Sequence, residues 1–231
     1  MQGGFFLGEK YKSSFLSDKD TSSILEYISE IMVNHGWSFN TYAHGKYSYW
    51  KNGPIWEFGD SVEVVEAEID KYNNINRLFE IIKNISRFYS PLILLDKVIA
   101  NKTSTAIIYV VESSVDMHWK EVSIAFEYDD LFDISNELQN AKSSKEIKEI
   151  FVEFTNSIQP YYAISALEIK GLVEDPEQLK ICEEMLGDFN YFSCLCADFK
   201  QLDELEEKYE IIDLCKTGKF VFTQKDIGLT Y

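Results

Sequence analysis

Apolar residues recur along this chain with two periods, and the switches between them mark out its elements. Ile24, Leu25, Ile28, Ile31 and Met32 fall on one face at helical spacing. Ser22 or Ser23 precedes them with Glu26 close behind, near to a capping box, and Gly36 after His35 suits a left-handed helix end. Residues 1–21 read as an irregular or single-strand lead-in. From Trp37 to Phe58 an aromatic block (Trp37, Phe39, Tyr42, Tyr47, Tyr49, Trp50, Trp56, Phe58) alternates with polar residues, predicting two or three antiparallel strands with turns at His44-Gly45 and Asn52-Gly53-Pro54. A further strand is predicted over Ser61–Ile69. Asn73-Asn74 then opens a second helix with Ile75, Leu78, Phe79, Ile82 and Ile85 as its stripe, stopped at Ser90-Pro91. Strands follow over Leu92–Ile99, Thr105–Glu112 and Glu121–Tyr128. Asp129-Asp130 opens a short helix over Leu131–Gln139, and Ser143-Ser144 caps a longer one lined by Ile147, Ile150, Phe151 and Phe154, ending at Gln159-Pro160.

The stretch from Tyr161 to Phe222 organises the rest. It reads as strand (Tyr161–Ile169), helix (Pro176–Leu186), strand (Tyr191–Ala197), helix (Gln201–Tyr209), then strands Glu210–Cys215 and Lys219–Thr223. Asp175-Pro176-Glu177 is a helix start, with Asp as cap and Pro at the first position. This alternation, added to the strands before it, predicts an α+β fold: a mixed, mainly antiparallel sheet backed by several helices. No Pro/Gly/Ser-rich linker interrupts the chain, so a single integrated domain over residues 1–231 is expected. Asn140–Ser144 is its weakest point, dividing an aromatic-rich half (1–140) from an acidic half (141–231).

Charge narrows the function. The formal net charge is −17, and residues 1–120 hold 12 Lys/Arg against 15 Asp/Glu while residues 121–231 hold 10 against 24. Direct nucleic-acid binding needs a basic footprint, and an anionic membrane surface repels this chain for the same reason. A basic protein partner is attracted. The start has no basic region followed by an apolar run, and no stretch approaches the roughly 20 apolar residues of a membrane helix. A cytoplasmic protein is expected. Cys182, Cys194, Cys196 and Cys215 are separated by 11, 1 and 18 residues, unlike the paired knuckles of a zinc site, and read as buried reduced thiols. No metal and no cofactor are expected.

The search for reaction chemistry returns little. There is no Gly-x-Ser-x-Gly elbow and no glycine-rich phosphate loop. His35 falls at a helix end and His44 in a turn, while Asp116-Met-His118 sets a carboxylate near an imidazole without a third group. Glu168-Ile-Lys170 has the Glu-x-Lys spacing of a metal-dependent nuclease, but residues 134–174 contain no Asp to share the metal. No catalytic residue is assigned. Paired carboxylates for glycoside hydrolysis cannot be picked out among so many. Two features suit partner binding instead. Asp203, Glu204, Glu206 and Glu207 flank the apolar stripe of their predicted helix, with Glu183 and Glu184 on the preceding one, and acidic surfaces speed capture of basic partners. Tyr49, Trp50 and Trp56 are of the residue types that dominate binding hot spots.

The acidic helix Asp203–Glu207, the charge excess after residue 120 and the aromatic segment Trp37–Phe58 give a chain that resembles, at the level of class, the small acidic immunity proteins of bacterial polymorphic-toxin systems. That resemblance implies a non-catalytic inhibitor that binds a toxin, often a basic nuclease, and plugs its active site. Two other readings stand beside it: a phage- or plasmid-encoded antagonist of a host defence nuclease whose acidic surface imitates DNA, and a carboxylate-based enzyme such as a glycosidase.

Overall fold

The computed structural model of the chain describes residues 9–39, 46–50, 64–68, 90–112, 119–133, 135–167, 190–194, 209–214 and 218–223. Among them is an α+β arrangement of one antiparallel sheet and three helices. The elements are β1 (Lys10–Ser17), α1 (Thr21–Asn34), β2 (Ser38–Phe39), β3 (Lys46–Trp50), β4 (Val64–Glu68), β5 (Ser90–Ile99), β6 (Lys102–Glu112) and β7 (Lys120–Glu127). They continue with α2 (Tyr128–Leu131), α3 (Glu137–Ile158), β8 (Tyr162–Leu167), β9 (Tyr191–Cys194), β10 (Tyr209–Leu214) and β11 (Gly218–Thr223). The strand order is β10-β11-β9-β8-β1-β7-β6-β5-β3-β4, with β2 also paired to β5. Every described pairing is antiparallel, so the mixed pairing expected from the alternating elements after Tyr161 is not found among the described residues.

Most predicted strands fall within two residues of their positions, because alternation sets both the period and the face. The lead-in, expected to be irregular or a single strand, holds the strand Lys10–Ser17, and its place at the middle of the sheet, between β7 and β8, was not foreseen. Its polar residues hid that place: Ser13 bonds Ser165 across β8 at 2.7 Å, and Ser14 bonds Ser123 across β7 at 2.8 Å, so buried hydroxyls satisfy one another there.

Tyr11, Ser13, Phe15 and Ser17 face the helices. Phe15 packs against Phe151 (5.2 Å between ring centroids) and Phe154 (4.8 Å) and Trp37 against Phe126 (5.6 Å), each at a tilt, while Tyr11 meets Phe132 edge-on (6.1 Å). Burying such rings contributes several kcal/mol each, about 3–5 kcal/mol by the usual truncation to Ala. The opposite face is buried at its centre as well, with Ser14, Leu16, Ser123, Tyr162 and Ile164 withdrawn from water.

Four helix expectations are corrected. The N-cap of α1 is Asp20, whose carboxylate takes the Ser23 N–H at 2.9 Å and the Ser23 hydroxyl at 2.6 Å, rather than Ser22 or Ser23. The short helix predicted over Leu131–Gln139 is instead one turn, Tyr128–Leu131. The residues after it enter α3, a 22-residue helix capped by Asn136, so Ser143-Ser144 are interior and the supposed weak point Asn140–Ser144 lies inside a helix. The cause is tertiary. The Ser143 hydroxyl donates to the Leu131 carbonyl at 2.6 Å, and the Asn140 amide bridges the backbone of Asp133 at 2.8 and 2.9 Å. These polar residues are held by the preceding turn instead of breaking the helix. Tyr209, predicted as the last residue of a helix, begins β10. The helices predicted over Asn73–Tyr89 and Pro176–Leu186, and the body of Gln201–Tyr209, lie outside the described residues.

Candidate functional site

Of the residues singled out for partner binding, Tyr49 and Trp50 are placed in β3. Tyr49 stands opposite Val65 of β4 and Pro91 of β5, and Trp50 opposite Val64 and Ser90. Trp56, Glu183, Glu184, Asp203, Glu204, Glu206 and Glu207 lie outside the described residues, as do His44, Asp116, His118, Glu168 and Lys170. His35 is the C-terminal cap of α1, as its position next to Gly36 (φ +81°) requires.

What the structure adds is the direction in which charge points. Among the described residues the exposed carboxylates are Glu9, Asp18, Asp20, Glu26, Glu30, Asp129, Asp133, Glu137, Glu149, Glu153 and Glu210, and the exposed ammonium groups are Lys142 and Lys145. The other lysines with described contacts are half-buried and turned toward the protein. Lys10 pairs with Glu127, Lys12 with Glu121 at 2.8 Å, Lys97 with Glu146 at 2.7 Å and Lys148 with Glu210 at 3.9 Å. Lys19 donates to the Ser157 carbonyl at 3.2 Å, and Lys102 donates to the Asp129 carbonyl. Among the described residues, most positive charge is thus paired or held against the protein while most exposed charge is negative.

Helix α1 presents this surface in ordered form. Its apolar stripe (Ile24, Leu25, Ile28, Ile31, Met32) is buried. The helical period therefore turns Glu26, Tyr27 and Glu30 to solvent. Tyr27 is 40% exposed, with the Lys19 ammonium 5.5 Å from its ring centre. Asp18 and Asp20 extend the acidic strip before the helix. An aromatic ring among carboxylates is a chemically fitting contact for lysine and arginine side chains, through ion pairing and cation–π attraction.

Two internal polar clusters were not foreseen. On the sheet, Lys12, Ser14, Tyr109, Glu121 and Ser123 converge. Glu121 Oε1 accepts from Lys12, from Ser14 at 3.2 Å and from Ser123 at 2.9 Å, and Lys12 lies 5.4 Å from the Tyr109 ring centre. Burial pulls the Lys12 ammonium down, but Tyr109 and Glu121 outweigh it and hold the group above its ordinary value. A lysine so held stays charged and cannot act as a base. Burial, opposed by the Thr105 hydroxyl, raises Asp96, and burial likewise raises Asp130 against the pull of Lys102.

The second cluster joins α1, β5 and α3. Glu146 Oε1 accepts from the Trp37 indole at 3.0 Å and from Lys97. The His35 ring lies beside it, with Nδ1 3.6 Å from that oxygen and Nε2 3.0 Å from Glu153 Oε2. The signal for it was present but unreadable: Glu146, Glu149 and Glu153 share a helical face, yet the partners of Glu146 and Glu153 are over 40 residues away in sequence.

No protein-family model matches the chain, and no curated protein matches it either. Among solved structures the chain is similar to the Pseudomonas aeruginosa T6SS protein PA0821, at a TM-score of 0.49 and 11% identity, covering 96% of this chain and 68% of that one.

Proposed function

We propose that this chain is a non-catalytic binding protein that captures a basic protein partner, and more narrowly an immunity protein that neutralises a toxin by covering its active site. The observation that supports the reading is the outward bias of charge: eleven exposed carboxylates against two exposed ammonium groups among the described residues. Such a field raises the rate at which a basic partner is captured, and it does so most at low ionic strength. The strip Asp18, Asp20, Glu26, Tyr27 and Glu30 is one contact surface on this reading, with Asp203, Glu204, Glu206 and Glu207 as a second.

The experiment is capture of the endogenous partner on the tagged full chain, followed by reconstitution of the purified pair. The expected partner is basic. Its association rate falls at least about tenfold between about 50 mM and about 500 mM salt, and its toxicity in a growth assay is lost on stoichiometric mixing. The joint substitution Asp203→Asn, Glu204→Gln, Glu206→Gln, Glu207→Gln slows association at low salt. A neutral partner with salt-insensitive association, or one that stays toxic in the complex, defeats the proposal. A nuclease partner displaced competitively by duplex DNA would transfer the reading to a DNA-imitating antagonist.

A further inference from the structure

We propose that His35, Glu146 and Glu149 form a zinc site that staples the end of α1 to α3. One donor atom from each of the three lies within 4.8 Å of the other two. Ligands around a tetrahedral zinc, at bonds of about 2.0–2.2 Å, sit about 3.4 Å apart, so small side-chain rotations complete the site. His35 Nδ1 and Glu146 are already 3.6 Å apart, too long for a hydrogen bond and close to that spacing.

The tautomer of His35 supports the assignment. A neutral imidazole carries one N–H, and Glu153 claims it at Nε2, at 3.0 Å. That leaves the Nδ1 lone pair facing the Glu146 carboxylate, whose Oε1 already holds the Lys97 ammonium and the Trp37 indole. A proton needs a single acceptor. The presence of a third donor, Glu149, at the same point favours a metal ion. Glu153 then plays the part that an outer carboxylate plays behind a metal-bound histidine, fixing its tautomer and raising its basicity.

Glu146 is held ready on the other side. The Trp37 indole and Lys97 both bind its Oε1. All three described contacts of Glu146 run to Oε1, and on this proposal Oε2 takes the ion. Among the described residues Glu149 pairs with the exposed Lys145 at 3.7 Å, a surface contact worth little. One imidazole with two carboxylates suits zinc better than calcium or magnesium, which prefer all-oxygen shells. With three protein ligands the fourth position goes to water.

The test is titration of the metal-free full chain with Zn²⁺ alone, by calorimetry, beside the variants Glu149→Gln, His35→Gln and Glu153→Gln. One ion per chain at micromolar affinity or tighter is expected, with a melting temperature that rises on zinc addition. Glu149→Gln and His35→Gln should each weaken binding at least about tenfold, and Glu153→Gln by about 10–100-fold. Glu149 is exposed, so its variant folds even where that of His35 does not. Co²⁺ in place of Zn²⁺ should show the visible bands of a four-coordinate site in the parent and lose them in Glu149→Gln. No saturable zinc binding by the parent, or binding that Glu149→Gln and His35→Gln leave unchanged, overturns the proposal.

Discussion

Ala100 carries the clearest local strain in the described chain. The β5–β6 hairpin closes with Ile99 opposite Lys102, leaving Ala100 (φ 49°) and Asn101 (φ 77°) as a two-residue turn. Such a turn needs positive φ at both positions, which Asn tolerates and Ala does not. Ala100→Gly should stabilise the protein by about 0.5–1 kcal/mol, read from the midpoint of urea unfolding. Glu146 makes the opposite case. Its carboxylate holds the buried Trp37 indole and the half-buried Lys97. Glu146→Ala leaves both without their acceptor and should cost about 2–3 kcal/mol, while Glu146→Gln, which keeps an acceptor, should cost less. Chemical denaturation followed by tryptophan fluorescence distinguishes the two, and equal losses would show that the acceptor is not what matters.

At the scale of elements, the end of the sheet near α2 gathers charge across its strands. Lys10 of β1 stands opposite Glu127 of β7, and Asp96 of β5 opposite Thr105 of β6, whose hydroxyl binds it at 2.8 Å. Withdrawal from water brings the Lys10 ammonium down to about 8, despite its contact with Glu127 and the pull of Asp130. Between that value and the ordinary 10.5, the unfolded chain keeps a proton that the folded chain has lost. Stability contributed by Lys10 therefore rises as pH rises through that window and is absent below it. Lys10→Arg keeps the ion pair but cannot lose its charge. The parent should gain stability over the variant from pH 8 upward; parallel stability curves would refute the shift. The long helix α3 shows the same dependence on neighbours, since its polar first turns stay helical because α2 and the chain after it bind Gln139, Asn140 and Ser143.

Over the whole molecule, the separation of charge is the property on which function is argued. No helix among the described residues is long and apolar enough to cross a membrane. Reversing the α1 strip with Glu26→Lys and Glu30→Lys should leave thermal stability within about 0.5 kcal/mol, because both side chains are exposed. The same change should slow partner association at low salt, and unchanged kinetics would remove α1 from the contact surface.

The amino-acid sequence by itself determined the strands from β3 to β11 to within a few residues, the buried stripe of α1, its glycine end and the acid excess, because each is written in local period, local turn chemistry or a count. It did not determine the place of β1. The serines of that strand look like loop residues until Ser123 and Ser165 are brought beside them. Nor did it determine the continuity of α3 or the grouping of His35, Trp37 and Lys97 about Glu146. The first depends on side-chain contacts 7 to 12 positions back along the chain and the second on contacts 49 to 111 positions apart, and no local pattern of apolar residues records either pairing. Strand order and the meeting of helix faces follow from the burial of the whole core, and that is where the tertiary structure decided which polar groups meet.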